Sequence, residues 1–233
     1  MTDRPTLVLL PGLPCDDRLW KPQVEALSDV ADVVIADMTR DETMSDIAAR
    51  ALDGAPESFA LAGLSMGGYV AFEMMRPASG RVTRLALLDT GARADTPEQT
   101  TRRKDLIGLA DRGEYRAVSP RLLPLFVHES RLSDAPLIED VTQMADSVGN
   151  DAFLRQQKVI MGRPDSRPGL SDIRCPSLVV CGRQDALTPV ELSEEIVGLI
   201  PGASLVVIDD CGHLATMERP DEVNAALRTW MAV

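Results

Sequence analysis

A chain of 233 residues, 45% hydrophobic and 26% charged, has the length and composition of an ordinary globular protein of about one or two domains. Its formal net charge of -12 speaks against nucleic acid or an anionic membrane as a partner. Two histidines, His128 and His213, are too few for a multi-histidine metal centre, and the four cysteines include no C-x-x-C pair of the kind that marks a zinc ribbon or a redox motif.

Met1-Thr2-Asp3 runs into the apolar stretch Thr6-Leu7-Val8-Leu9-Leu10 without a signal-peptide pattern, so secretion is not expected. That stretch reads as a buried strand closed by the tight loop Pro11-Gly12-Leu13-Pro14. Leu19 to Leu27 has helical spacing, Val33 to Asp37 is a second strand, and Met44 to Leu52 a second helix with Thr43 as its N-cap. Phe59 to Leu64 is a third strand, turning at Ser65 into an apolar helix that runs through Met75. Arg84 to Asp89 is a fourth strand, ended by Thr90-Gly91. From about Ala92 to Gly169 strand signals vanish and apolar residues recur at roughly helical spacing. This stretch reads as a helical lid inserted into a single domain whose core is 1–91 and 170–233. Pro176 to Cys181 is a strand ending in Gly182-Arg183-Gln184-Asp185, and Thr188, Pro189 and Glu191 spell a capping box at the start of the next helix. Leu205 to Asp209 is the last strand, followed by Cys211-Gly212-His213 and a closing helix from Asp221 to Met231, entered through Pro220. Apolar strands alternating with helices imply an α/β fold with a parallel sheet covered on both faces.

Gly63-Leu64-Ser65-Met66-Gly67 lies where the third strand becomes a helix. Glycine two residues to either side of a serine lets the chain double back and push the hydroxyl out of the fold. The Met66 amide then sits at a helix start, where unpaired N–H groups favour a developing oxyanion, and the Leu13 amide of the first loop is the expected second donor. A serine hydroxyl needs a base, and the base needs a carboxylate. Asp185 and His213 follow in the order expected after such an elbow, each in a loop after a strand. Asp89 is the rival carboxylate, less favoured because it ends the strand right after the elbow. His128 reads as a lid or surface residue and Cys211 as a buried structural thiol. Cys15, Cys175, Cys181 and Cys211 together read as reduced thiols of a cytoplasmic protein, and no apolar run is long enough to span a bilayer.

The stretches 9–13, 63–68, 182–185 and 211–213 together resemble the α/β-hydrolase superfamily, most closely its small carboxylesterase-like branch with a short helical lid. The resemblance runs nearly the whole length. It implies a three-layer, doubly wound, mostly parallel sheet of about six strands, with the first and third strands as neighbours and the Leu13 and Met66 amides side by side. One departure is that Pro11-Gly12 stands where the superfamily usually has His-Gly, which leaves the chemistry intact but alters the first loop. The expected activity is hydrolysis of a carboxylic ester or thioester of a small to medium, largely apolar molecule by Ser65, His213 and Asp185, without cofactor. Leu106, Leu109, Val118, Leu122, Leu123, Leu125, Phe126 and Met144 read either as lining for that substrate or as packing of the lid onto the core. Alternatives on the same frame are carbon–carbon hydrolysis, a lyase step, acyl transfer, or a slow-turnover ligand binder.

Overall fold

The computed structural model describes residues 4–232. Six strands, β1 (Thr6–Leu10), β2 (Asp32–Ile35), β3 (Phe59–Leu64), β4 (Val82–Leu88), β5 (Ser177–Gly182) and β6 (Ser204–Ile208), form one sheet in the order β2-β1-β3-β4-β5-β6. Every pairing is parallel. All of β3 and β5 is buried, and exposure rises at the edge strands β2 and β6, as expected of a sheet covered on both faces.

Alternate strand residues feed two separate apolar clusters. Leu7, Leu9, Ala62 and Val180 face one cluster, closed by α1 (Lys21–Leu27) and α10 (Pro220–Ala232). Val8, Leu10, Leu61 and Val179 face the other, beneath α2 (Met44–Asp53), α3 (Met66–Ala78) and, beyond β5, α8 (Val190–Leu199). Between β4 and β5 the chain forms α4 (Pro97–Asp111), α5 (Val118–Phe126), α6 (Ala135–Met161), interrupted at Gly149, and the short α7 (Arg167–Leu170). Leu109, Val118 and Met144 of this segment are buried in the first cluster, so part of its apolar surface is spent on internal packing.

Local chemistry explains where the elements start and stop. Thr43 caps α2 by accepting from the Asp46 amide at 3.1 Å, as its sequence position implies. The first helix begins at Lys21 and not Leu19; Asp17–Trp20 forms a 3-10 turn, and Pro22, lacking an N–H, takes its place in the helix's first turn. The capping box expected at Thr188 does not form. Its hydroxyl donates to the Asp185 carboxylate at 2.6 Å, and α8 starts at Val190 with Pro189 in the cap position and no side-chain cap. A buried carboxylate is the stronger competitor for that hydroxyl.

The β1–β3 register, Leu10 opposite Gly63, carries the first loop to the foot of α3. The backbones approach so closely there that a Cβ on Gly67 would lie 2.0 Å from the Leu10 carbonyl oxygen. Gly80 has nothing within 4 Å of the same position. Gly67→Ala should therefore lose ~3 kcal/mol or more in urea unfolding, whereas Gly80→Ala should change stability by less than ~1 kcal/mol. Equal effects of the two substitutions would mean that the crossing is looser than described.

Candidate active site

Ser65 stands between β3 and α3 with φ 53° and ψ -113°, a conformation that L-residues rarely adopt. The turn is possible because its neighbours lack side chains: a Cβ on Gly63 would lie 2.3 Å from the Gly67 carbonyl oxygen. The strained residue is held on both sides. Its amide donates to Leu88 O at 3.0 Å, and its carbonyl accepts from the Thr90 hydroxyl at 2.8 Å and the Gly68 amide at 2.9 Å. Strain of this kind persists only where surrounding contacts over-determine it.

β5 and β6 bring the other two groups to the same end of the sheet. Gly182 closes β5, and a Cβ there would meet the Gly212 carbonyl oxygen at 2.0 Å, so the absence of a side chain lets the His213 loop pass over the Asp185 loop. His213 Nε2 lies 2.8 Å from Ser65 Oγ, and His213 Nδ1 lies 2.7 Å from Asp185 Oδ2. A carboxylate only accepts, so Nδ1 carries the proton toward Asp185 and Nε2 is left to accept from the serine. Asp185 is saturated with donors: Oδ1 takes the Leu187 and Thr188 amides at 2.8 and 2.9 Å, and Oδ2 takes the Thr188 hydroxyl. Burial pushes its pKa up, but His213 and these hydrogen bonds outweigh burial and hold it below the ordinary value.

Asp89, the rival carboxylate, has another task. It accepts from the Gly182 amide at 2.9 Å and the Ala215 amide at 3.2 Å, tying the two loops together behind His213. His128 does not approach Ser65; its ring pairs with the Ser130 hydroxyl. Cys211 is fully buried, and all four cysteines are unpaired.

The Gly12 and Ser65 backbones are in close contact, a Cβ on Gly12 lying 3.3 Å from Ser65 Cβ, and Leu13 lines the same cleft as Ser65 and His213. Among the described residues, neither the Leu13 nor the Met66 amide donates to a backbone carbonyl.

Two supports are absent from the sequence reading. The Phe126 carbonyl accepts from the His213 and Leu214 amides at 2.9 and 3.1 Å, and the Phe126 ring stacks on the imidazole at 6.0 Å between centroids. Buried Glu218 accepts from the Gly212, Leu214 and His128 amides at 3.0, 3.3 and 2.7 Å. Both join the helical segment to the histidine loop across distances in sequence that no local pattern spans. The cleft above Ser65 is narrow, enclosing about 40 Å³. Leu106, Leu122, Phe126, Ile160 and Leu187 give it an apolar part. Gln99, Arg102, Arg103 and Gln157 give it a polar one, which helical spacing alone does not reveal.

The profile of the alpha/beta hydrolase family matches residues 7–226. A candidate carbamate hydrolase, RutD, of Azorhizobium caulinodans is 30% identical over 95% of this chain and 89% of its own length. A thermophilic esterase from Thermogutta terrifontis superposes with a TM-score of 0.88 at 32% identity, covering 98% of this chain and 89% of that one. An enol-lactonase from Burkholderia xenovorans shares the fold with a TM-score of 0.89 at 23% identity, over 99% and 92% of the two chains.

Burial first, and then the nearby Asp185 charge, raise Asp89 well above the ordinary carboxylate range, against the pull of its two amide donors. The folded chain thus keeps this proton to a higher pH than the unfolded chain. Across that window the folded state binds more protons, and wild-type stability falls as pH rises. Asp89→Asn cannot ionise and tolerates the positive φ of 44°. Its urea midpoint should therefore gain on the wild type as pH rises above about 4, where the unfolded carboxyl begins to ionise. A constant gap, or one moving the other way, would show that Asp89 is ionised throughout.

Proposed function

The chain belongs to the alpha/beta hydrolase family, and from that footing we propose that it is a serine hydrolase cleaving a carboxylic ester or thioester through an acyl-enzyme on Ser65. The observation that carries this reading is the unbroken relay from Ser65 Oγ through His213 to Asp185, at 2.8 and 2.7 Å. Ser65 Oγ attacks the carbonyl carbon while its proton passes to His213 Nε2. The oxyanion is met by the Leu13 and Met66 amides, and Asp185 steadies the imidazolium. His213 then protonates the departing alcohol or thiol, and water activated by the same imidazole releases the acid. No cofactor takes part in these steps. The helical segment 92–169 acts as the lid, with Phe126 bearing on His213 from it. The substrate is a small molecule of small to medium size, and a cytoplasmic setting accords with the unpaired cysteines.

The relative named as a candidate carbamate hydrolase favours one second reading, attack of the same serine on a carbamate carbonyl. A panel of p-nitrophenyl acyl esters, acyl thioesters and an aryl carbamate separates the two.

Ser65→Ala and His213→Ala should lower kcat on the best substrate by ~10⁴ to ~10⁶, and Asp185→Asn by ~10⁴, with circular dichroism unchanged. Turnover that survives Ser65→Ala contradicts the acyl-enzyme route.

A further inference from the structure

The chain carries a net charge of -12, yet two arginines, Arg102 and Arg103, line the cleft. Arg103 pairs with buried Asp95 at 3.1 Å, and Arg163 pairs with the same carboxylate. Asp95 therefore balances one of these two charges. Arg102 lines the cleft with Arg103, and among the described residues no carboxylate lies within ion-pair distance of it and no acceptor within hydrogen-bond distance.

Gln157 faces the same space and is fully buried. Its Oε1 accepts from Arg103 Nη1 at 3.0 Å. An arginine only donates, so the orientation of this amide is settled, and Nε2 is the atom left without a partner. A buried N–H₂ without an acceptor is costly and calls for a ligand oxygen.

We infer that the cleft binds a carboxylate of the substrate between Arg102 and Gln157 Nε2, so that the molecule cleaved at Ser65 is anionic at its far end. This rests on the hydrolase reading for the cleavage alone. A carboxylate offers two coplanar oxygens, one suited to the guanidinium and one to the amide donor. Leu106, Leu122 and Ile160 line the same cleft and suit a short methylene spacer. The substrate class is therefore an ω-carboxy ester or thioester.

The test joins binding to turnover. In calorimetric titration adipate should bind the wild type more tightly than hexanoate, and Arg102→Gln and Gln157→Glu should each weaken adipate by ~10-fold or more. Mono-p-nitrophenyl adipate should be preferred to p-nitrophenyl hexanoate in kcat/KM by a similar factor in the wild type, and the preference should disappear in both variants. Arg102 is a partly exposed helix residue whose replacement leaves the fold intact, so the result does not depend on the more buried Gln157. Absence of saturable adipate binding, or binding indifferent to both substitutions, overturns the assignment. Adipate binding that both substitutions weaken, with neither ester hydrolysed, would support the carboxylate site while overturning the esterase reading.

Discussion

The site depends on one close crossing of backbones. β3 turns into α3 against the end of β1 with no room for side chains at Gly63 and Gly67, where a Cβ would fall 2.3 and 2.0 Å from carbonyl oxygens. That crossing forces Ser65 to φ 53° and lifts its hydroxyl to the end of the sheet. The same register carries the first loop, with Leu13, to the Ser65 turn, so the proposed nucleophile and the proposed oxyanion donors depend on one constraint. The strain has a local cost, which the bonds from Leu88, Thr90 and Gly68 to the Ser65 backbone offset.

The base and its carboxylate are held by a second arrangement, built from buried acids. Asp89 and Asp185 lie in the loops after β4 and β5, Glu218 ends the short α9 (Ala215–Glu218) that follows β6, and each accepts backbone amides from this end of the sheet. The division of protons among them follows from their surroundings. Asp185, facing His213 and saturated with donors, is held low, while burial raises Asp89 and Glu218. A single ionised carboxylate against the imidazole keeps its tautomer defined, and the two neighbours brace the loops without competing for the ring.

Much of this layout was legible in the chain because it depends on local necessity. Glycines at fixed offsets from Ser65, and loops directly after apolar strands, place Ser65, Asp185 and His213 at one end of a parallel sheet. Thr188 shows the limit of such reading. Thr-Pro-x-Glu has the same letters whether its hydroxyl caps a helix or binds a carboxylate, and only the arrival of buried Asp185 decides. The hold of Phe126 and Glu218 on the histidine loop, and the polar side of the cleft, were not legible. They join residues on separate elements through tertiary contacts, and helical spacing tells which face is apolar but not which arginine turns inward. The apolar residues of the helical segment divide in the same way: all six of Leu106, Leu109, Val118, Leu122, Phe126 and Met144 join one buried cluster, but only Leu106, Leu122 and Phe126 also line the cleft.

The central claim is a covalent intermediate on Ser65. Acid quench of the wild type during turnover of a p-nitrophenyl ester, followed by peptide mass spectrometry, tests it most directly. The account predicts an acyl adduct on the peptide containing Ser65, which accumulates with esters whose deacylation is slower than acylation. Burst release of p-nitrophenol with the adduct on another residue, or turnover with no adduct at any time, would contradict it.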